Sequence, residues 1–195
     1  MKTSNAVLMQ MALESLKGNW GIAIGTSFLY AVIVGVTPLG PVVGPVAAII
    51  IGGPLLLGYS IFLLSYSRGE NAELSQLFKG FNWFGKSLGA YLLMTIYVFL
   101  WSLLLIIPGI VAAFKYAMTF FILADDPTLS ADMALKKSKE MMYGYKWKLF
   151  FLGLRFIGWF LLCILTLGIG FLWLIPYINV SSAKFYEDLK SDMLV

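Results

Sequence analysis

The chain has no histidine, a single cysteine and only 12% charged residues across 195 positions. Each shortage excludes something. One cysteine, Cys163, rules out a disulfide within the chain, and without histidine a Cys/His metal site is out of reach. Cys163 also lacks a histidine base, so a cysteine nucleophile is not expected. A soluble domain carries roughly 25% charged residues. Far fewer are present here, and 60% of the residues are hydrophobic, so the apolar excess is expected to face lipid. The net charge of +4 sits on few, dispersed basic residues, and nucleic acid is not an expected partner. The opening residues, MKTSNAVLMQMALESLKGNW, are not read as a signal peptide, because no small-residue cleavage site follows a compact apolar core. No acid/base or nucleophile constellation is visible, so no enzyme, cofactor or metal is expected.

What is present is a series of apolar runs. Residues 5–17 form an amphipathic pattern with Leu8, Met9, Ala12, Leu13 and Leu16 at helical spacing. This stretch is too polar to span and is predicted to lie in the interface. Six transmembrane helices follow, at about 20–36, 46–67, 87–107, 109–124, 147–165 and 171–185. The turns TPLGPVVGP, Pro108-Gly109 and 166–170 pair them into three hairpins. A second amphipathic stripe, Leu74, Leu77, Phe78 and Phe81, precedes the third span. Ser130 is predicted to cap a third amphipathic helix, with Ala134, Met141, Met142 and Tyr145 on its apolar side. None of the three turns carries a charge. By the positive-inside rule, both termini and both long connections are expected in the cytoplasm.

The hairpins read as a parallel repeat, in units of about 4–68, 70–127 and 128–190 within one membrane domain spanning 1–195. Each unit has an amphipathic stretch, then a Gly/Trp junction: Gly18 with Trp20, Gly80 with Trp83, Gly144 with Trp147. The tryptophans are 63 and 64 residues apart. The returning spans align on Tyr59, Tyr116 and Tyr177 and end at Arg68, Asp125 and Glu187. All units share one orientation, unlike the inverted repeats of many transporters.

Two cations fall deep inside spans. Counted along an unbroken helix, Lys115 lies roughly 15 Å from Asp125, and Arg155 roughly 10 Å from Lys148. An ionisable group at that depth costs at least about 2.5 kcal/mol unless it is paired, hydrated or snorkels. No carboxylate lies inside a span. One reading has Lys115 and Arg155, with Tyr116, Asn179 and Ser181, line a polar crevice for an anionic group such as a lipid phosphate. The other has Arg155 snorkel and Lys115 hydrogen-bond within the bundle. Gly52-Gly53-Pro54 is either a packing kink or a re-entrant break that shapes the crevice. Asp125-Asp126-Pro127 reads as a cap and turn.

The stretch GIVAAFKYAMTFFILADDPTLSADMALKKSKEMMYGYKWKLFFLGLRFIGWFLL, with TLGIGFLWLIPY and SSAKFYEDL, resembles the bacterial membrane proteins of domain-of-unknown-function family 975. LKGNW and GYSIFLLSYSRGE fit the same pattern. The resemblance implies a small multi-pass protein of the bacterial inner membrane. A looser similarity to the membrane domain of glycerophosphodiester phosphodiesterases is also present, without their catalytic domain. The expected function is non-enzymatic binding or movement of an anionic or amphipathic substrate, a lipid foremost. The alternative is a structural or regulatory subunit of a larger membrane complex, in an accessory or immunity role. Expected partners are membrane lipids, and a homo-oligomer or membrane-protein partner is compatible with the same reading.

Overall fold

The computed structural model describes residues 3–39 and 43–193. Gly40, Pro41 and Val42, in the first uncharged turn, lie outside the described residues. All regular structure among the described residues is helical. The order is α1 (Asn5–Leu16), α2 (Trp20–Val36), a 3-10 turn (Thr37–Leu39), α3 (Val43–Arg68), a 3-10 segment (Leu74–Trp83), α4 (Phe84–Leu104), α5 (Ile106–Tyr116), α6 (Thr119–Asp125), α7 (Ala131–Met141), α8 (Lys146–Leu154), α9 (Ile157–Leu165) and α10 (Phe171–Met193).

Four helical stretches are long and apolar enough to cross a membrane: Gly44–Arg68, Leu74–Leu103, Ile106–Asp125 and Lys146–Leu165. A fifth arises if α1 and α2, bent by 101° at their junction, count as one. Two of the six spans read from the sequence therefore fall short alone. α2 has 17 residues, and the second half of α10 carries Lys184, Glu187, Asp188, Lys190 and Asp192.

The second arm of each hairpin supplies the core. Leu55, Leu57 and Phe62 of α3, Ile122 and Leu123 of α6, and Val180 and Phe185 of α10 are essentially inaccessible. The first arms turn outward and expose Phe28, Ile96, Trp159 and Leu161. A continuous apolar exterior over a packed interior is the pattern expected where lipid replaces water.

Each hairpin closes on a glycine at the same spacing. A Cβ on Gly44 would lie 2.8 Å from the Thr37 carbonyl oxygen, one on Gly109 2.1 Å from Ser102 Oγ, and one on Gly170 2.7 Å from Cys163 Sγ. The partner is the residue seven positions earlier in every case. Only a glycine lets the two arms approach this closely at the turn.

The break between α4 and α5 is at Leu105, in extended backbone (φ −165°, ψ 150°), and not at Pro108-Gly109. Pro108 sits in the first turn of α5, where its missing N–H is no loss. α3 runs unbroken through Gly52-Gly53-Pro54, so the motif is not a re-entrant break. It packs the helix instead. A Cβ on Gly53 would fall 2.6 Å from the Ser87 carbonyl oxygen, and one on Gly52 3.2 Å from the Tyr91 ring.

The amphipathic stretches pack on the bundle along one edge. In α1 the buried row is Asn5, Leu8, Ala12 and Leu16, while Leu13 points outward. In the Leu74–Trp83 segment only Leu77 of the expected stripe is buried, next to Gln76 and Gly80; Leu74, Phe78 and Phe81 are exposed. Leu77 and Gly80 are the positions where the segment's backbone lies on α3, against Gly58 and Pro54. Ser130 caps α7 as expected, accepting the Met133 amide at 3.3 Å, and Ala134, Met141 and Met142 are buried.

The fourth span is two helices, because α5 ends at Tyr116 and α6 begins at Thr119. No proline or glycine marks the spot. Two hydroxyls hold it: Thr119 donates to the Tyr116 carbonyl at 2.8 Å, and Ser138 of α7 donates to the Lys115 carbonyl at 3.0 Å. Both side chains are completely buried. Ser138→Ala leaves that carbonyl unpaired, and is expected to lower stability by about 1–3 kcal/mol. Thermal unfolding in detergent measures this. Ser191→Ala, on the exposed tail of α10, serves as the neutral comparison.

Candidate functional site

A cavity of about 950 Å3 lies between the helices and opens to the exterior past Val34 and Phe99, which line it and are exposed. It is walled by α2, α3, α4, α5 with α6, α8 and α10, so every hairpin contributes both arms or one arm and its neighbour. Leu63, Val98, Phe120 and Ile175 represent its apolar walls. Among the described residues no charged side chain lines it. Its polar patch is neutral. Asn179 Nδ2 donates to Tyr59 Oη at 2.9 Å, and Ser27 Oγ lies 2.9 Å from the same oxygen. Tyr30 stacks on Tyr59, with ring centroids 4.6 Å apart. This ties α2, α3 and α10 together at one point and presents hydroxyl and amide groups without charge. Such a surface can hydrogen-bond a ligand.

The sequence-derived site residues are not gathered there. Asn179 lines the cavity, with Ser182 close by on α10. Ser181 is buried and donates back to the Tyr177 carbonyl at 2.8 Å. Tyr116 is buried in a stack with Tyr97, centroids 5.7 Å apart. Arg155 sits at the break between α8 and α9, exposed on the outer surface, beside exposed Leu154 and Ile157. Lys115 is half-buried at the end of α5, where its ammonium lies 5.3 Å from the Tyr116 ring centroid. The cations acting on it are Lys139 and Lys146. Lys115 stands in the middle of the stretch Ile106–Asp125, where α5 ends and α7 brings a polar surface to it. Lys115 and Arg155 thus share no crevice; Gly52 and Gly53 face α4, and neither they nor Pro54 line the cavity.

A second assembly was not foreseen. Arg68, Asp125 and Glu187, the ends of the three returning arms, meet in one ion-pair network. Arg68 Nη2 is 2.5 Å from Asp125 Oδ1 and 2.8 Å from Glu187 Oε1. Lys190 Nζ is 2.5 Å from Asp125 Oδ2, and the Tyr186 hydroxyl donates to that oxygen at 3.0 Å. Burial and then the Asp125 charge push the Tyr186 phenol well above its ordinary value, so it keeps the proton it donates. The signal was legible, since these three residues already align in the repeat. The expected cap role divides: Asp126 takes it, accepting the Thr128 amide at 3.0 Å, while Asp125 is the hub. The Thr128 hydroxyl and amide hold the Asp126 carboxyl below the usual carboxylate range.

The three aligned tyrosines behave alike. Tyr59, Tyr116 and Tyr177 are all buried, and each packs on an aromatic ring of its own hairpin: Tyr30 at 4.6 Å, Tyr97 at 5.7 Å and Phe156 at 5.0 Å between centroids.

No curated protein and no solved structure matches the chain, and the similarity to glycerophosphodiester phosphodiesterases is not shown. Residues 1–114 and 103–193 match the family described as protein of unknown function (DUF975), which covers nearly the whole chain, and the chain belongs to that family.

Proposed function

We propose that this is a non-enzymatic membrane protein that holds an amphipathic, lipid-like molecule in its central cavity. Six spans, arranged as three parallel hairpins with both termini in the cytoplasm of a bacterial inner membrane, are part of the same reading. The observation that carries it is the cavity: about 950 Å3, walled by helices of all three hairpins, mostly apolar, with uncharged hydroxyl and amide groups foremost in the Ser27–Tyr59–Asn179 patch. That volume is at the upper end of small-molecule sites, which run to roughly 1,000 Å3. Apolar walls suit acyl chains, and the patch suits a glycerol or ester group that hydrogen-bonds without bringing charge inside. The six-span reading draws support from the glycines at common spacing and from the three returning arms meeting at Arg68, Asp125 and Glu187. It treats α2 and the first half of α10 as spans that neighbours complete.

Native mass spectrometry of protein extracted with its own lipids tests the proposal. Wild type is expected to carry one retained lipid-sized adduct. Ala113→Trp, which fills the cavity from α5, is expected to lose it while melting within a few degrees of wild type. A variant that keeps the adduct unchanged overturns the cavity as the site. A stoichiometric protein partner with no lipid favours the subunit reading instead.

A further inference from the structure

The lysines around the end of α5 form a site separate from the cavity. Lys115 ends α5, Lys139 lies in the last turn of α7, and Lys146 opens α8. Ser138, the neighbour of Lys139, is hydrogen-bonded to the Lys115 carbonyl, which fixes α7 against α5 at this point. α8 packs on α5 as well. The charges that act on Lys115 are those of Lys139 and Lys146, and no carboxylate is among them. None of the three ammonium groups has an ion-pair partner among the described residues, whereas Lys136 of the same helix is paired with Asp132 at 2.6 Å.

Two further features point the same way. The first turn of α8 has no side-chain cap, and its positive dipole end lies at Lys146. Trp147 and Tyr143 flank it, 71% and 82% exposed. Exposed tryptophan and tyrosine next to lysine are the composition of a bilayer headgroup zone. Unpaired like charges on helices packed together at this point repel one another, and the natural relief is an anion between them.

We propose that Lys115, Lys139 and Lys146, with the open amide end of α8, seat the phosphate of an anionic phospholipid headgroup in the membrane interface. Lys115 thereby keeps the anion-binding role read from the sequence, with Lys139 and Lys146 as its partners in place of Arg155. The site shares no residue with the cavity lining.

The test is a competition in mixed micelles between phosphatidylglycerol and phosphatidylcholine of distinct masses, with bound lipid counted by native mass spectrometry. Wild type is expected to prefer phosphatidylglycerol by at least about tenfold, and the preference should shrink as salt rises. Lys115→Gln/Lys139→Gln/Lys146→Gln is expected to abolish it. The triple arginine variant keeps it, which separates charge from folding. Lys17→Gln/Lys79→Gln/Lys137→Gln removes equal charge elsewhere and should keep it too. Equal loss in that control means net charge alone, and overturns the site. Full displacement of the lipid by millimolar inorganic phosphate overturns the lipid assignment. Because Ala113→Trp leaves these lysines intact, headgroup preference should survive in it; failure of the cavity and failure of this site are therefore distinguishable.

Discussion

Gly58→Ala is expected to abolish stable folding, with little monodisperse protein surviving detergent extraction. A Cβ at this position would lie 1.9 Å from the Leu77 carbonyl oxygen and 2.5 Å from the Leu77 carbonyl carbon. Both obstacles are backbone, so no rotamer change relieves the clash. Gly80 faces the reverse problem: its Cβ would lie 2.0 Å from the Pro54 carbonyl oxygen and 2.7 Å from the Gly58 amide nitrogen. The two glycines thus let the Leu74–Trp83 segment lie directly on α3. Overpacking commonly costs about 1–3 kcal/mol, and a clash with two rigid backbones belongs at or beyond the top of that range. Total stability of roughly 5–15 kcal/mol leaves little margin. Gly85→Ala is the control, because nothing lies within 4 Å of its Cβ and alanine favours helix by up to about 1 kcal/mol. A Gly58→Ala protein that melts with wild type would refute the packing described here.

Asp125→Asn is expected to be the second most damaging single change. The carboxylate is 14% exposed and takes Arg68, Lys190 and the Tyr186 hydroxyl together. An amide keeps the shape but leaves Lys190 without its anion and Arg68 with Glu187 alone. Removing one member of a buried pair costs about 3–5 kcal/mol. The partners are about a third exposed, so solvent screens part of this, and about 2–4 kcal/mol is expected. Asp126→Asn, one residue away, loses only a turn and should cost under about 1 kcal/mol. Adding Lys190→Gln to Asp125→Asn should recover part of the loss, since the stranded ammonium is gone. Equal melting of the two asparagine variants would mean that the network does not hold the arms together.

Much of the fold was legible because each hairpin repeats a pattern that local chemistry enforces. Ser130 announced a helix cap, the uncharged turns announced the hairpins, and Tyr59, Tyr116 and Tyr177 announced the buried arms. The break after Tyr116 was hidden, because no residue near it is a helix breaker. It is fixed by Ser138, 23 residues further on, a tertiary contact that periodicity does not report. That contact sets α7 against Lys115, at the end of α5 and in the middle of the stretch Ile106–Asp125. The structure also bears on why Lys115 departs from Gly58 in the aligned arm. In both arms the following amphipathic segment lands at this position, as Leu77 against Gly58 and as Ser138 against Lys115. In the first case backbone meets backbone and only glycine fits; in the second a hydroxyl reaches the backbone from a distance, and a long side chain has room. The seven-residue spacing before each hairpin glycine was present in the letters but carries meaning only once the two arms are seen to touch. The cavity was the least legible feature. Its walls are ordinary apolar residues whose arrangement depends on six helices at once.

The central claim is that a lipid occupies the cavity, and photo-crosslinking in intact membranes tests it most directly. Benzoyl-phenylalanine replaces Phe120, a buried cavity-lining ring, or Phe160, which is 50% exposed on the outside of α9. The adducts are then identified by mass spectrometry. The account predicts one dominant lipid class at Phe120 and a mixture in bulk-membrane proportions at Phe160. Bulk proportions at both positions, or no lipid adduct at Phe120, would contradict it.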